Sequence, residues 1–165
     1  MKTLLLFRHA KSSWKDDSLD DRVRPLNKRG QDDAPRMGKL LREQGILPDL
    51  VLCSTAVRAR TTLELACEAL GYNGEIDYRD DLYAFEPGAY LNALQKLPDE
   101  PGVVMVVGHN PALEAVLTGL TGEYLALPTA ALAEIELDIE RWKELSFGMH
   151  ARLKNLWYPK EVRRT

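Results

Sequence analysis

The chain has 165 residues, the size of one ordinary domain, and we predict a single domain over residues 1–165. Its hydrophobic share of 45% and charged share of 28% exclude wholesale disorder, a collagen-like repeat and a disulfide scaffold. The formal net charge of −3 argues against nucleic acid as a partner, so an anionic ligand needs a local cluster of positive groups. Cys53 and Cys67 lie in periodic apolar segments, which favours a reducing, cytoplasmic setting.

The first predicted element is a strand over Thr3–Phe7. These residues form a continuous apolar run, as expected for a strand buried on both faces of a sheet. The run is shorter than the roughly 7–15 apolar residues of a secretory signal. No stretch approaches the ~20 apolar residues of a membrane span. We therefore expect a soluble, unprocessed chain that does not enter a membrane.

Two helices and a strand are predicted next along the chain. The first helix runs from near Asn27 to Gly45, and Pro35 is expected to bend or shorten its first half. A strand follows at Leu50–Cys53, and then a helix that Gly71 ends. Both helices carry apolar residues at helical spacing: Ala34, Met37, Leu40 and Leu41 in the first, and Leu63, Ala66, Cys67 and Leu70 in the second.

The second half of the chain repeats this alternation. Residues 88–97 are predicted to form a short helix, and the β-branched run Val103–Val107 a strand. Asn110 can cap the helix that follows, with Pro111 at its first position. Ala131–Ile139 alternates as a strand towards a sheet edge, and the stretch 153–162 receives no assignment. The alternation predicts an α/β fold with a mainly parallel central sheet and helices on both faces.

Charged residues follow three of the predicted strands. Arg8 and His9 come directly after the first strand, Arg58 follows the second, and His109 follows the third. Ligands of such sheets bind beyond the carboxyl ends of the strands, so these side chains should meet there. Arginine matches phosphate oxygens with bidentate donors, and histidine can act as nucleophile or donor. Singly, each could be an ordinary solvated loop residue; together they predict a phosphoryl site.

Three motifs resemble those of the histidine phosphatase superfamily in order and spacing: Phe7-Arg8-His9-Ala10, Ser54-x-x-x-Arg58-Ala59-x-x-Thr62 and Gly108-His109-Asn110-Pro111. The chain is most similar to the compact SixA-type phosphohistidine phosphatases. Two further segments support this: Arg24-Pro25-Leu26-x-x-x-Gly30, and Pro128-Thr129-x-Ala131 before the late strand. The resemblance spans nearly the whole chain and implies a single-domain, phosphoglycerate-mutase-like fold.

The resemblance also implies a role for each matching residue. His9 would be the nucleophile that becomes phosphorylated, Arg8 and Arg58 would clamp the phosphoryl oxygens, and His109 would donate to them. Arg24 occupies the place of a further arginine of the phosphate pocket. One departure is mild, because the usual glycine after the nucleophile is Ala10 here, still a small residue.

The larger departure concerns the general acid. Matching the segment Asp80-Asp81-Leu82-Tyr83-Ala84 to the superfamily puts Ala84 where many of its members carry an acidic residue. An alkoxide leaving group needs a proton from such an acid, a contribution of about 10²–10⁴ in rate, whereas phosphohistidine releases an imidazole, a far better leaving group. The departure therefore favours phosphohistidine as substrate. Asp81 and Glu86 lie nearby as possible substitutes, although solvated loop carboxylates are the simpler interpretation.

Three functions remain open from the sequence. The leading one is a phosphatase that acts on phosphohistidine in proteins. The second is a phosphatase of small phosphorylated molecules with Asp81 or Glu86 as acid, and the third is a phosphate-binding module without turnover. No metal or other cofactor is predicted, because no cluster has metal-ligand spacing, no nucleotide-binding glycine motif occurs, and the arginines and His109 supply positive charge. The sequence carries no signal for an oligomeric state.

Overall fold

One six-stranded sheet organises the protein. The computed structural model describes residues 1–162. The strands are Lys2–Arg8 (β1), Leu50–Ser54 (β2), Glu75–Arg79 (β3), Val103–Gly108 (β4), Leu132–Leu137 (β5) and Arg152–Trp157 (β6). The helices are Lys28–Glu43 (α1), Val57–Leu70 (α2), Pro87–Gln95 (α3) and Ala112–Thr121 (α4). The strand order is β3-β2-β4-β1-β5-β6.

The four strands β3, β2, β4 and β1 are parallel, whereas β5 and β6 are antiparallel to their neighbours. In the register between β1 and β4, Phe7 lies opposite Val107 and Arg8 opposite Gly108. Cys53 of β2 lies opposite Val107 on the other side of β4. The carboxyl ends of β1, β2 and β4 therefore meet at one edge of the sheet, where the residues that follow them come together.

Alternate residues of the central strands pack on opposite layers of helices. In β1, Leu5 and Phe7 belong to the apolar core beneath α1 and α2, and Leu4 and Leu6 to the core beneath α3 and α4. All four side chains are fully buried. Burial on both faces is the reason that the strand is apolar at every position. The mainly parallel sheet with helices on both faces is confirmed.

The two helices of one layer touch at a glycine. A Cβ atom on Gly38 of α1 would lie 2.1 Å from the carbonyl oxygen of Ala66 in α2, so only glycine allows this approach. The contact brings α1 close against α2, the helix that carries Arg58 in its first turn. None of the described helices is long and apolar enough to cross a membrane.

Several sequence-based assignments need correction. Helix α1 runs through Pro35 without being shortened. Helix α4 begins at Ala112, one residue later than predicted, and the Asn110 side chain accepts from the backbone N–H of Glu114. Strand β5 lies between β1 and β6, not at the edge, because the unassigned stretch supplies the edge strand β6. The opposite edge strand, β3, was not predicted.

Candidate active site

A cavity of about 500 Å³ opens at the carboxyl edge of the sheet. The predicted residues Arg8, His9, Arg24, Arg58 and His109 all line it, so the structure brings the complete predicted set together. The backbone N–H of His9 donates to the Gly108 carbonyl at 3.1 Å, which extends the β1–β4 ladder into the site. The two imidazole centroids are consequently 5.1 Å apart.

The His9 ring is held in one orientation by the next residue. Its Nδ1 lies 2.8 Å from the carbonyl oxygen of Ala10, and because a carbonyl only accepts, Nδ1 carries the proton. The backbone N–H of Ala10 donates in turn to the Thr62 hydroxyl at 2.9 Å, and that hydroxyl donates to the Arg58 carbonyl at 2.6 Å. In neutral His9, the lone pair is therefore on Nε2, the nitrogen that a nucleophile would use.

Burial keeps His9 neutral. The residue is only 7% exposed, and this burial, reinforced by the charges of Arg58, Arg8 and Arg24, lowers the pKa of His9 to about 4. The hydrogen bond to Ala10 opposes the shift but does not offset it. An imidazole that is unprotonated at neutral pH has its nucleophilic lone pair available.

His109 is fixed by two hydroxyl groups from neighbouring elements. Its backbone N–H donates to the Tyr90 hydroxyl at 3.1 Å, and its Nε2 lies 2.8 Å from the Ser54 hydroxyl. Burial, followed by the charges of His9 and Arg58, lowers the pKa of His109 to about 3. Its Nδ1 is buried and has no hydrogen-bond partner among the described residues.

Arg8 and Arg58 each have one buried nitrogen without a hydrogen-bond partner among the described residues. Arg8 donates through Nη1 to the Leu127 carbonyl at 3.0 Å. Arg58 donates to Asp21, through Nη1 to the carbonyl at 2.6 Å and through Nη2 to the carboxylate at 2.8 Å. Neither Nε has a partner among the residues that the structure describes. Unpaired buried donors are costly, and those of Arg8, Arg58 and His109 around one cavity are what a bound anion would satisfy.

Arg24 lies at the same cavity but is largely occupied by protein contacts. Its Nε and Nη2 donate to one carboxylate oxygen of Asp21 at 3.1 and 2.9 Å, and its Nη1 donates to the Ser12 hydroxyl at 2.7 Å. The indole ring of Trp14 stacks on the guanidinium, with 3.5 Å between the guanidinium carbon and the ring centroid. Arg24 is thus placed to support Asp21 as well as to add charge to the pocket.

Asp21 is an acidic residue of the cavity that the sequence analysis missed. It is the one carboxylate among the described lining residues, and the Tyr83 hydroxyl donates to it at 2.5 Å. Partial burial would raise the pKa of Asp21, but hydrogen bonds from Tyr83, Arg58 and Arg24 outweigh it and hold that pKa well below its usual range. The available signal in the sequence was that Asp21 lies three positions before Arg24. Other aspartates lie in the same polar loop, so this spacing does not single out Asp21.

The two candidate acids named from the sequence lie outside this lining. Asp81 forms an ion pair with Arg79 at 2.8 Å, and its carboxylate has a lowered pKa because of that contact. Glu86 is exposed where α3 begins. Ala84, at the acid's expected place, offers no proton. Within residues 1–162, no group of three His, Cys, Asp or Glu side chains is arranged to hold a metal ion.

Comparison with known proteins agrees with this geometry. The model of the histidine phosphatase superfamily (branch 1) matches residues 4–93. An uncharacterized protein of Mycobacterium tuberculosis is 34% identical over 155 residues, covering 87% of this chain and 94% of its own. A crystal structure from Agrobacterium tumefaciens, described as a phosphohistidine phosphatase SixA, is 32% identical and covers 96% of this chain and 98% of its own, with a TM-score of 0.81.

A further solved structure is that of the protein histidine phosphatase SixA complexed with tungstate. It is 25% identical, covers 96% of this chain and 97% of its own, and has a TM-score of 0.81. These SixA structures share the phosphoglycerate-mutase-like fold that the resemblance predicted. Fold, family match and sequence identity therefore agree that the chain belongs to the histidine phosphatase superfamily (branch 1), and within it to the SixA type.

Proposed function

We propose that this phosphatase removes the phosphoryl group from phosphohistidine in proteins, through a covalent intermediate on His9. The observation that carries the proposal is a neutral imidazole beside unpaired buried donors, in a cavity whose one described carboxylate is held ionised. Such a site can attack phosphorus and stabilise the phosphoryl charge, but it has no carboxylic acid ready to protonate a leaving group. The SixA neighbours support the proposal, since one is described as a phosphohistidine phosphatase and another as a protein histidine phosphatase.

In the first step, Nε2 of His9 attacks phosphorus. The new N–P bond forms as the bond from phosphorus to the substrate imidazole breaks, and the electron pair of that bond goes to the departing imidazole nitrogen. Nδ1 of His9 keeps its proton and donates to the Ala10 carbonyl throughout, so the ring remains oriented. The charge on the phosphoryl oxygens is met by Arg8, Arg58 and His109, whose unpaired donors are in place before the substrate binds.

In the second step, water attacks the phosphorylated His9. The P–N bond breaks, its electron pair returns to Nε2, and one proton of the attacking water passes to the solvent of the open cavity as hydrogen phosphate forms. His109 can donate to a phosphoryl oxygen in both steps, because a Ser54 hydroxyl that donates to its Nε2 leaves the proton on Nδ1. Both steps use the same donors, and the product is a phosphate in the same cavity.

The choice of phosphohistidine over a phosphate ester depends on the leaving group. Asp21 cannot serve as the acid, because two arginines and Tyr83 hold it as the carboxylate. Without an acid, an alkoxide departs more slowly by about 10²–10⁴, whereas an imidazole departs readily. The geometry thus favours phosphohistidine and aryl phosphates.

A substrate panel tests the proposal. Phosphohistidine and p-nitrophenyl phosphate should turn over, and sugar phosphates should be slower by about 10²–10⁴. Asp81→Asn and Glu86→Gln should leave phosphohistidine turnover nearly intact. If one of these variants lost sugar-phosphate turnover and kept aryl-phosphate turnover, that residue would be the acid and a small-molecule phosphatase would be the better assignment. Phosphate binding without turnover of any substrate would indicate a binding module.

The covalent step has its own test. Rapid quench with labelled substrate should trap an acid-labile, base-stable phosphoenzyme, and His9→Ala should abolish both it and turnover. His150→Asn is the matched control, since His150 is exposed and does not line the cavity. Label on a residue other than His9, or substantial activity in His9→Ala, would contradict the mechanism.

A further inference from the structure

One carboxylate side chain lies among the positively charged side chains that line the active-site cavity. Four cationic side chains line it, Arg8, Lys11, Arg24 and Arg58, and Asp21 is the one carboxylate among the described lining residues. Asp21 contacts two of these cations directly. Its carboxylate accepts from Arg24 at 2.9 Å and from Arg58 at 2.8 Å. The negative charge of Asp21 therefore lies where the negative charge of a phosphoryl group has to be held.

Both Nη atoms of Arg58 donate to Asp21, whereas Arg24 also donates to Ser12. The Arg58 side chain is 4% exposed, and Asp21 is its ion-pair partner among the described residues. Asp21 binds it through two groups at once, with the backbone carbonyl on Nη1 and the carboxylate on Nη2. This contact fixes the plane and the rotamer of the guanidinium and leaves Nε unpaired. A buried cation without a counter-ion is unfavourable, so Asp21 both orients and neutralises Arg58.

Asp21 is itself held from a third direction. Tyr83 donates to the same carboxylate oxygen that accepts from Arg58, and Arg24 occupies the other oxygen. The carboxylate is therefore not free to swing away when an anion enters. At 43% side-chain exposure it also remains partly solvated, so its repulsion of an entering anion is moderate.

We propose that Asp21 is a resident counter-ion of the phosphoryl pocket. It is a positioning residue: it holds Arg58 in the geometry that the transition state requires, and its charge weakens the binding of free phosphate, so that product leaves readily. This inference rests on the proposed function. Its signature is a change of kcat and of phosphate affinity in opposite senses, because positioning raises kcat while like charge lowers ground-state affinity.

Asp21→Asn tests both parts of the inference. The amide keeps the shape and removes the charge, so inorganic phosphate should bind about three- to tenfold more tightly by titration calorimetry. With phosphohistidine as substrate, kcat should fall by about tenfold, since Arg58 loses the contact that sets its position. Asp21→Glu keeps the charge and should return phosphate affinity towards that of the natural enzyme. Asp20→Asn, an exposed neighbour without a side-chain capping contact, is the matched control and should change neither quantity.

Thermal unfolding with and without phosphate covers the case in which Asp21→Asn is unstable. The substitution leaves the buried Arg58 without its ion-pair partner, so saturating phosphate should raise the Tm of Asp21→Asn by more than that of the natural enzyme. An equal or smaller rise, an unchanged or weaker phosphate affinity, or an unchanged kcat would overturn the inference. Phosphate binding does not require turnover, so an enzyme inactive on every substrate would refute the proposed function while these affinities still test the counter-ion.

Discussion

The hydroxyl of Thr62 connects the backbone of Ala10, the residue after His9, to the backbone of Arg58, and its removal should be measurable in two ways. Thr62 is fully buried, accepts from the Ala10 N–H at 2.9 Å and donates to the Arg58 carbonyl at 2.6 Å. Thr62→Val keeps the shape of the side chain and leaves the buried Ala10 N–H without a partner. An unsatisfied buried donor of this kind costs about 1–3 kcal/mol in the free energy of unfolding.

The assay is equilibrium unfolding together with turnover. For a chain of this size each kcal/mol lowers the Tm by about 2–4 °C. The same substitution should lower kcat by about tenfold, because the Ala10 peptide also carries the carbonyl that orients His9. Thr62→Ser retains the hydroxyl and should recover most of kcat.

Thr61→Val provides the matched control for this prediction. It makes the same change one position earlier in α2, at a half-buried residue, and should alter stability by less than about 0.5 kcal/mol. If Thr62→Val were as stable and as active as Thr61→Val, the connection from Thr62 through Ala10 to His9 would not contribute, and the reasoning would be refuted.

Three further predictions concern Arg58, the protonation of His9 and the space around Gly108. Arg58→Ala should weaken competitive inhibition by phosphate and reduce kcat by at least about a hundredfold, whereas the exposed Arg60→Ala should change neither, as inhibition kinetics will show. The folded pKa of His9, about 4, lies below the ordinary 6.5, so the unfolded chain binds the proton more readily. In phosphate-free buffer the free energy of unfolding should therefore fall as the pH decreases from about 6.5 to 4, by at most about 1.4 kcal/mol per pH unit for this site, by denaturant titration. Gly108→Ala would place a Cβ 2.3 Å from the Tyr90 hydroxyl, so it should destabilise the protein by about 1–3 kcal/mol in the same titration and displace His109.

The central strands were predictable from the sequence because their burial on both faces makes them apolar at every position. Thr3–Phe7 and Val103–Val107 are each found within the observed strand, extended by one residue at one or both ends. The edge strands β3 and β6 were not predicted, because both are only partly buried and at least half of the residues in each are polar. The position of β5 was predicted wrongly for the same reason, because β5 would be an edge strand if β6 were absent.

Each predicted site residue either directly follows a predicted strand or lies in a motif that resembles one of the histidine phosphatase superfamily. Asp21 has neither property. It lies in a short 3₁₀ turn at Asp21–Val23, and only the fold places that turn against Arg58, 37 positions away in the chain. Tyr83 reaches the cavity in the same way, from the turn that follows β3. Contacts between loops that are distant in the sequence depend on the tertiary structure, and no local sequence pattern encodes them.

His9 and His109 come from neighbouring strands that are 100 positions apart in the sequence. Nothing in the first half of the chain can form the phosphoryl pocket alone, because His109 enters it only when β4 pairs with β1. Closing a loop of this length costs conformational entropy before the contacts that it brings together can form. The cavity therefore cannot be complete before β4 has paired with β1 at the centre of the sheet. If phosphate binds only the native pocket, as proposed, it should stabilise the completed fold.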